Sequence, residues 1–378
     1  MSSFLKEFSG IKAKYETGEN KHEKLLLKQK LLSRPIVLYG LGFFGGVIVK
    51  NFKQQDITIE CFCDSRKTGV DAETGLQIIT PAELCEKYSD ANIVISVANP
   101  NNEKSVYNTV KSLNFSDEQI FPFKVAYQFI KKSRVELVSL PFEEIQKLSD
   151  GFEWAYDFFK DENSRKVILD IINGYLFNTT FSYDPPQDSY FPKELILNDS
   201  EIFVDGGIYT GDTTEDFIKR VNGKYKKIIG FDIDEKNLCL ARTNLQKYSN
   251  IEIIPKGLWS CSEKQNAELG ITAGSNIKEG ASDVVELTSL DELFFGCPLQ
   301  NLPTFVKLDV EGSEREALIG ASNIIRAVSP KLAVCVYHKP KDVFDLTQLI
   351  YESNPNYKFC LKHYSPYVWD TVLYAYND

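Results

Sequence analysis

Two acidic residues that end apolar segments, with glycines after the first, have the types and spacing to hold a ligand. Asp205 closes EIFVD and is followed by Gly207 and Gly211, after which an amphipathic segment begins. Asp232 closes the next apolar segment, KKIIGFD. Such a sequence predicts strand, tight turn and helix, and glycines let the backbone approach a bound molecule. The helix start would offer N–H groups, whereas a carboxylate suits hydroxyl groups or a positive charge.

A histidine and two further acids follow later strand-like segments. Asp309 and Glu311 lie in FVKLDVEG, and His338 ends LAVCVYH. Ligands of open α/β sheets bind at the carboxyl ends of the strands, so we expect these side chains to share one edge. We predict that His338 acts as a general base or positions an acceptor, the alternative being a histidine that caps its strand. The three groups are few for a divalent cation, which is the minority hypothesis, and no metal site is predicted.

Two more side chains are candidates for the same pocket. Tyr190 follows the adjacent prolines of SYDPPQDSYFP, just ahead of the first strand of the back half. Ser275 lies in the polar segment AGSNIKEG. We predict that both contact a cofactor, although core packing is the more common role of an aromatic residue in such a place.

A second glycine turn lies near the N-terminus. Gly40, Gly42 and Gly45 form a G-x-G-x-x-G pattern between a strand-like and a helix-like segment, and Asp64 ends the next strand-like segment. This context is typical of a nucleotide-binding turn, with the acid in the place of a ribose ligand. Glycines also allow close packing of helix on strand, so a purely structural role stays open.

The elements that must position these residues alternate between strand and helix in two regions. Residues 35–123 and 201–378 alternate, whereas residues 124–180 have apolar residues at helical spacing. Alternation predicts a parallel sheet with helical crossovers. The last two strand-like segments lie too close for a crossover helix and predict a terminal antiparallel hairpin.

The predicted fold is therefore α/β, with two Rossmann-like doubly wound sheets joined by a helical connector. Its predicted parts, in chain order, are a helical extension (1–33), a Rossmann-like domain of nucleotide-binding type (34–125), the connector (126–198) and a second Rossmann-like domain (199–378).

Composition excludes some function classes. The net charge is −10, and without a dense basic patch we expect no nucleic-acid partner. The longest uncharged stretch, residues 35–49, is shorter than a membrane span, and the N-terminus lacks the apolar core of an export signal. The eight cysteines are scattered, which is typical of reduced thiols. We expect a cytoplasmic protein without an integral membrane segment.

The motifs of the back half resemble those of a known family. The D-x-G-x-x-x-G pattern that begins at Asp205 resembles the first motif of class I methyltransferases, which bind S-adenosylmethionine. The segments 305–321, 332–346 and 359–376 look like the FkbM family, in which K-x-D-V-E-G follows the fourth strand. The resemblance covers roughly 155–378. The family usually has Ala-Asn after the motif-one glycine, where this chain has Ile208-Tyr209.

The resemblance implies an S-adenosylmethionine-dependent O-methyltransferase with a class I methyltransferase domain at the C-terminus. The expected acceptor is a hydroxyl of a small polar molecule, a sugar or sugar nucleotide. One alternative is a nucleotide-dependent sugar oxidoreductase or epimerase centred on the N-terminal glycine turn. Another is a catalytically inactive nucleotide-binding protein.

Overall fold

The computed structural model describes residues 3–131, 139–270, 275–278 and 280–377. The chain divides into two compact units. Unit 1 comprises Met1–Lys147 and Asp170–Thr180, and unit 2 comprises Leu148–Leu169 and Phe181–Asp378. The segment 126–198, predicted as a connector, is divided between them.

Unit 1 contains a six-stranded sheet. Its strands are β1 (Ile36–Tyr39), β2 (Cys61–Cys63), β3 (Gly69–Val70), β4 (Gln77–Ile79), β5 (Asn92–Ile95) and β6 (Ile120–Phe121). The order is β3-β4-β2-β1-β5-β6, and only the β3–β4 pair is antiparallel. Every residue of β1 and β5 is buried, as expected of parallel strands covered on both faces. The predicted parallel sheet is confirmed.

Helices surround this sheet in the part of unit 1 that the structure describes. They are α1 (Ser3–Thr17), α2 (Glu19–Leu31), α3 (Phe43–Lys53), α4 (Pro81–Lys87), α5 (Pro100–Ser112), α6 (Phe123–Tyr127) and α7 (Phe142–Lys147). Helix α4 starts at a capping box, in which the Thr80 hydroxyl accepts the N–H of Glu83 and the Glu83 carboxylate accepts that of Thr80.

Unit 2 contains a seven-stranded sheet and a four-stranded sheet. The strands are β7 (Ile202–Gly206), β8 (Lys227–Phe231), β9 (Ile251–Ile254), β10 (Gly257–Leu258), β11 (Glu263–Glu268), β12 (Asn276–Ile277), β13 (Asp283–Thr288), β14 (Phe305–Leu308), β15 (Lys331–Cys335), β16 (Lys358–His363) and β17 (Thr371–Tyr376). The larger sheet has the order β16-β17-β15-β14-β7-β8-β9. Strand β17 is antiparallel to β15 and β16, so the terminal hairpin is confirmed. The smaller sheet, β10-β13-β11-β12, was not predicted.

The helices introduced with unit 2 are α8 (Ser149–Phe158), α9 (Glu162–Phe177), α10 (Asp212–Arg220), α11 (Glu235–Leu245), α12 (Leu290–Leu293), α13 (Glu314–Ile319), α14 (Ser322–Val328) and α15 (Asp342–Ser353). Helix α9 begins in unit 2 and ends in unit 1. Among the described residues, no helix combines the length and apolar composition that a bilayer crossing requires.

A group of aromatic side chains supports the strands that carry the candidate site. Phe203 of β7 lies with its ring centroid 4.5 Å from that of Phe217 and 5.0 Å from that of Phe305 on β14. Phe191, the neighbour of Tyr190, packs 5.8 Å from Phe305 and is buried. Buried aromatic pairs of this kind fix the relative positions of the elements they join. Strands β7 and β14 are therefore held side by side.

Candidate active site

A cavity of about 330 Å³ opens at the carboxyl ends of β7, β8 and β14. Its wall contains six of the residues that the sequence predicts: Tyr190, Gly207, Asp232, Ser275, Asp309 and Glu311. The other predicted residues of this region, Asp205, Gly211 and His338, are not on the wall. Asp205 and His338 lie behind it and contact the wall residues Lys307, Asp309 and Glu311, whereas Gly211 packs against Leu245.

The turn after β7 requires glycine. Gly207 has φ of +76°, and a Cβ added there would lie 1.9 Å from the carbonyl oxygen of Asp309. The N–H groups of Gly207 and Ile208 both donate to the carbonyl of Phe231 at 2.9 Å. Gly211, with φ of +83°, is the residue that caps α10. The backbone of the turn is thus tied to the ends of β8 and β14.

Asp205 stabilises this turn through its contacts with Thr214 and Lys307. Its side chain is fully buried, accepts a hydrogen bond from the Thr214 hydroxyl at 2.7 Å, and pairs with Lys307 Nζ at 3.0 Å. Lys307 also donates to the carbonyls of Gly206 and Gly207, at 3.1 and 2.8 Å. Burial lowers the pKa of Lys307, but the carboxylate of Asp205 outweighs this and leaves the pKa raised. Lys307 is therefore charged and anchors the glycine turn.

Asp232 faces the cavity and is oriented by backbone donors. It accepts hydrogen bonds from the N–H of Tyr209 at 3.0 Å and from that of Asp234 at 2.8 Å. Burial raises the pKa of Asp232, against the effect of these donors. Because the contact with Tyr209 is made by the backbone, the side chain at 209 is free to differ from the family pattern. Ile208 is fully buried in a cluster with residues of α11.

Ser275 is connected to Asp232 through Asp234. Asp234 caps α11 by accepting the N–H of Lys236 at 2.9 Å, and it also accepts the Ser275 hydroxyl at 3.2 Å. Sequence reasoning missed Asp234, although an acid just before a helix start is a recognisable capping signal. Asn237 of the same helix also lines the cavity.

Asp309 is held by two phenols. Its carboxylate accepts hydrogen bonds from Tyr190 at 2.8 Å and from Tyr337 at 3.2 Å. Burial raises the pKa of Asp309, but the charges of Lys307 and His338 outweigh it and leave the pKa lowered. Asp309 is therefore ionised at neutral pH. Tyr337 was missed because aromatic residues beside a strand end are most often core residues.

His338 lies between carboxylates. Its Nδ1 is 3.0 Å from an oxygen of Glu314, and its Nε2 is 3.4 Å from Glu311 and 3.6 Å from Asp309. Burial alone would lower the pKa of His338, but the carboxylates, Glu314 foremost, raise it well above its usual value. The ring is therefore an imidazolium. Glu314, which also accepts the N–H of Val310 at 2.9 Å, was missed because its sequence position indicates only the start of α13.

A cation could be considered at the same cluster. Asp309, Glu314 and His338 each offer a donor atom within 4.8 Å of the others. The acids of this possible metal set are Asp309 and Glu314, whereas the minority metal hypothesis from sequence named Asp309 and Glu311. A metal needs one ring nitrogen without its proton, whereas here carboxylates lie beside both nitrogens. The arrangement fits a protonated ring, and we treat the cluster as an ion-pair network.

The N-terminal glycine turn of unit 1 forms as predicted, with Gly42 before the start of α3. Asp64 accepts the N–H groups of Leu41 at 2.9 Å, Arg66 at 2.8 Å and Lys67 at 3.1 Å. A Cβ at Gly45 would lie 3.0 Å from the Phe62 ring, and Gly40 has φ of +106°. These contacts meet the structural needs of the turn. A nucleotide at this turn stays a prediction.

Comparison with known proteins agrees with this geometry. Residues 205–359 match the methyltransferase FkbM domain. The crystal structure of methyltransferase FkbM from Methylobacillus flagellatus KT is 20% identical, with 99% of this chain and 100% of that chain covered and a TM-score of 0.66. An rRNA methylase from Streptococcus thermophilus is 17% identical over 48% of this chain and 87% of that one, with a TM-score of 0.32. Comparison with curated protein sequences gives no match.

The strand order and the position of the cavity are those of the class I methyltransferase fold. The match of residues 205–359 to the methyltransferase FkbM domain identifies the protein as a methyltransferase enzyme.

Proposed function

We propose that the cavity binds S-adenosylmethionine and that the enzyme transfers its methyl group to a hydroxyl of a small polar acceptor, a sugar or sugar nucleotide. One observation carries this proposal. A carboxylate that ends a strand faces the cavity on the donor side, and two further carboxylates face it across the glycine turn. The first suits ribose hydroxyls, and the others suit a hydroxyl that must lose its proton.

On the donor side, the predicted contacts come from three elements. Asp232 would accept hydrogen bonds from the ribose hydroxyls, because its backbone donors leave it oriented at the wall. The backbone at Gly207 allows close approach of the cofactor. Ser275 and Asn237 supply polar groups beside Asp232. The bound cofactor supplies an activated methyl group, so the protein needs only to align the acceptor and to accept a proton.

On the acceptor side, we assign proton acceptance to the carboxylates of Asp309 and Glu311, both of which line the cavity. His338 is protonated and lies behind them, so the geometry supports its positioning role over its role as general base. The phenols of Tyr190 and Tyr337 also line the cavity and provide polar contacts for a hydroxyl-rich molecule. These polar groups are the support for a sugar acceptor.

The test combines titration calorimetry with S-adenosylmethionine and a turnover assay on a panel of sugars and sugar nucleotides. We expect Asp232→Ala to weaken cofactor binding by about tenfold or more, since each lost hydrogen bond to a charged group contributes about 1.5–3 kcal/mol. The matched control is Glu235→Ala. Glu235 is an exposed acid at the start of α11, three residues after Asp232, and it is paired with Arg242. Unchanged affinity in Asp232→Ala would reject the ribose role.

His338 is tested in the same assays. His338→Ala should leave cofactor affinity intact and lower turnover, and His338→Gln serves as a second variant because it retains a polar side chain among the carboxylates. Equal turnover in both variants and the parent would show that the imidazolium has no part in the reaction.

The two alternatives give different results in the same experiments. An oxidoreductase or epimerase centred on Gly40 and Gly42 predicts tight nicotinamide cofactor binding in a fluorescence titration. In this turn the Asp64 carboxylate already accepts three backbone N–H groups, as it would in a purely structural role. Methyl transfer is therefore the better supported of the two functions. A catalytically inactive protein would bind S-adenosylmethionine without methyl transfer to any acceptor of the panel.

A further inference from the structure

A second cavity, of about 130 Å³, lies within unit 1. Its wall includes apolar, amide and basic side chains, among them Tyr15, Lys21, Lys24, Gln128, Phe177 and Asn178. No carboxylate contributes to this wall among the residues that the structure describes. Since a water molecule occupies about 30 Å³ in the liquid, the cavity has room for a group of several heavy atoms.

Among the residues that the structure describes, no carboxylate forms an ion pair with the lysines of this cavity. In the described ranges of the chain, Lys24 makes no hydrogen bond or ion pair, and its ammonium group lies 5.1 Å from the ring centroid of Phe129. Lys21 lies likewise 5.8 Å from the ring of Tyr15. Burial, and secondarily the charge of Lys131, lower the pKa of Lys24 to about 8. Within the described residues, these two lysines thus lie over aromatic rings and form no ion pair.

The aromatic rings do not account for this arrangement. A cation over an aromatic face gains about 0.5–1 kcal/mol at exposed sites, but it keeps its full charge and its repulsion from neighbouring cations. Lys14 adds a further ammonium 5.2 Å from the ring of Phe177, which forms part of the wall. In a chain with a net charge of −10, a concave basic site calls for a specific anion.

We propose that this cavity binds a phosphate group, as the free anion or as a phosphate ester of a small molecule. Lys21 and Lys24 lie one helical turn apart on α2, so their ammonium groups reach the same side of a bound anion. The amide side chain of Gln128 provides a neutral donor on the wall. A multiply charged oxyanion neutralises several ammonium groups at once, which a monovalent carboxylate does not. The proposal concerns unit 1 alone and is independent of methyl transfer.

The first experiment is titration calorimetry of the full chain with inorganic phosphate and with glucose 6-phosphate, at ionic strength fixed with sodium chloride. We expect Lys24→Met to weaken binding by about tenfold, which corresponds to the loss of one charge-assisted contact. The matched control is Lys12→Met on α1, whose exposed side chain is paired with Glu16. Tighter binding of glucose 6-phosphate than of inorganic phosphate identifies an ester as the ligand, and the reverse order identifies the free anion.

A second measurement uses the unmodified protein and so does not depend on the folding of a variant. At pH 8 the amine of Lys24 is partly deprotonated, so an acylating reagent should modify it faster than exposed lysines, as peptide mass spectrometry would show. Phosphate should slow this modification at least about threefold, whereas chloride at equal ionic strength should not. No phosphate binding, equal affinity in Lys24→Met and the parent, or modification of Lys24 that phosphate does not slow would each overturn the proposal.

Discussion

The charged pair beneath the glycine turn allows a quantitative test of how the fold supports the active site. Lys307→Met keeps the length of the side chain but removes the ammonium group that contacts Asp205 and two turn carbonyls. Asp205 would keep only its hydrogen bond from Thr214 in a fully buried place. We therefore expect Lys307→Met to lower the stability of unit 2 and to displace the glycine turn.

The expected loss of folding free energy follows from the burial of Asp205 and Lys307. Removing one partner of a buried ion pair destabilises by about 3–5 kcal/mol, because the other charge is left uncompensated. With a urea m-value of about 2 kcal/mol per M, the unfolding midpoint should fall by about 1.5–2.5 M. The matched control is Lys331→Met, whose ammonium pairs at 2.6 Å with the fully buried carboxylate of Glu201. That pair lies at the other end of the same sheet, where β7 and β15 begin.

The assay measures urea midpoints by fluorescence and cofactor affinity by calorimetry, under conditions in which both variants are folded. Lys307→Met should lose stability and bind S-adenosylmethionine at least about tenfold more weakly, because the turn has lost its anchor. Lys331→Met should lose stability only. The reasoning is refuted if Lys307→Met unfolds at the midpoint of the parent, or if both variants lose the same cofactor affinity.

Three further predictions concern single residues. Gly207→Ala should destabilise by about 1–3 kcal/mol more than Gly223→Ala, which has a similar φ of +73° but open space around the added carbon; equal urea midpoints would contradict this. Tyr190→Phe removes a donor 2.8 Å from Asp309 and should raise the pKa of that carboxyl. The acid limb of the kcat/KM profile should therefore move up by about one pH unit; an unmoved limb would show that this hydrogen bond does not set the pKa of the reacting carboxylate. Burial and a neighbouring carboxylate raise the pKa of Asp342 to about 7. This acid is therefore protonated more readily in the folded than in the unfolded chain, and stability should fall as pH rises from about 4 to 7, by up to about 1.4 kcal/mol per unit. Asp342→Asn should flatten that slope in urea midpoints at pH 5 and 8; the same slope in both proteins would disprove the assignment.

The parallel arrangement of the strands near the site was accessible from sequence because local patterns indicate it. Acid-terminated apolar segments separated by helical segments predict a parallel sheet, and parallel strands end at one edge. Asp232, Asp309 and Glu311 accordingly line one cavity. The terminal hairpin was also predictable, since the short connection between its strands excludes a crossover helix.

The partners of each charged side chain were less accessible, because strand register decides them. Lys307 lies two residues before Asp309, and sequence spacing suggests that these two residues pair. In the structure Lys307 stands directly across the β7–β14 pair from Asp205 and binds it. Asp205, a predicted cofactor contact, is thereby buried behind the wall. No local pattern specifies which residues of two strands lie opposite each other when both faces are buried.

The small sheet of β10 to β13 was missed for a related reason. Strand β11 has almost no apolar face, because five of its six residues have charged or amide side chains. Such a strand forms because β13 pairs with it over five residue pairs, which is a tertiary cause. The consequence for function is direct, since β10 and β12 contribute Gly257 and Ile277 to the cavity wall.

The distribution of charge around the cavity divides its residues into two groups. The carboxylates of Asp232, Asp309 and Glu311 on the wall are available to ligand. Lys307 also lines the cavity, but its ammonium group is paired with the buried Asp205, and His338 lies off the wall beside Glu311. A positively charged methyl donor fits such a wall, because these carboxylates are exposed to it and the charge of Lys307 is compensated by Asp205. Under the proposed function, methyl transfer would leave the donor neutral and the acceptor hydroxyl would lose its proton. Asp309 or Glu311 would accept that proton and pass it to solvent, and the neighbouring imidazolium of His338 would favour the return of the carboxylate to its ionised form.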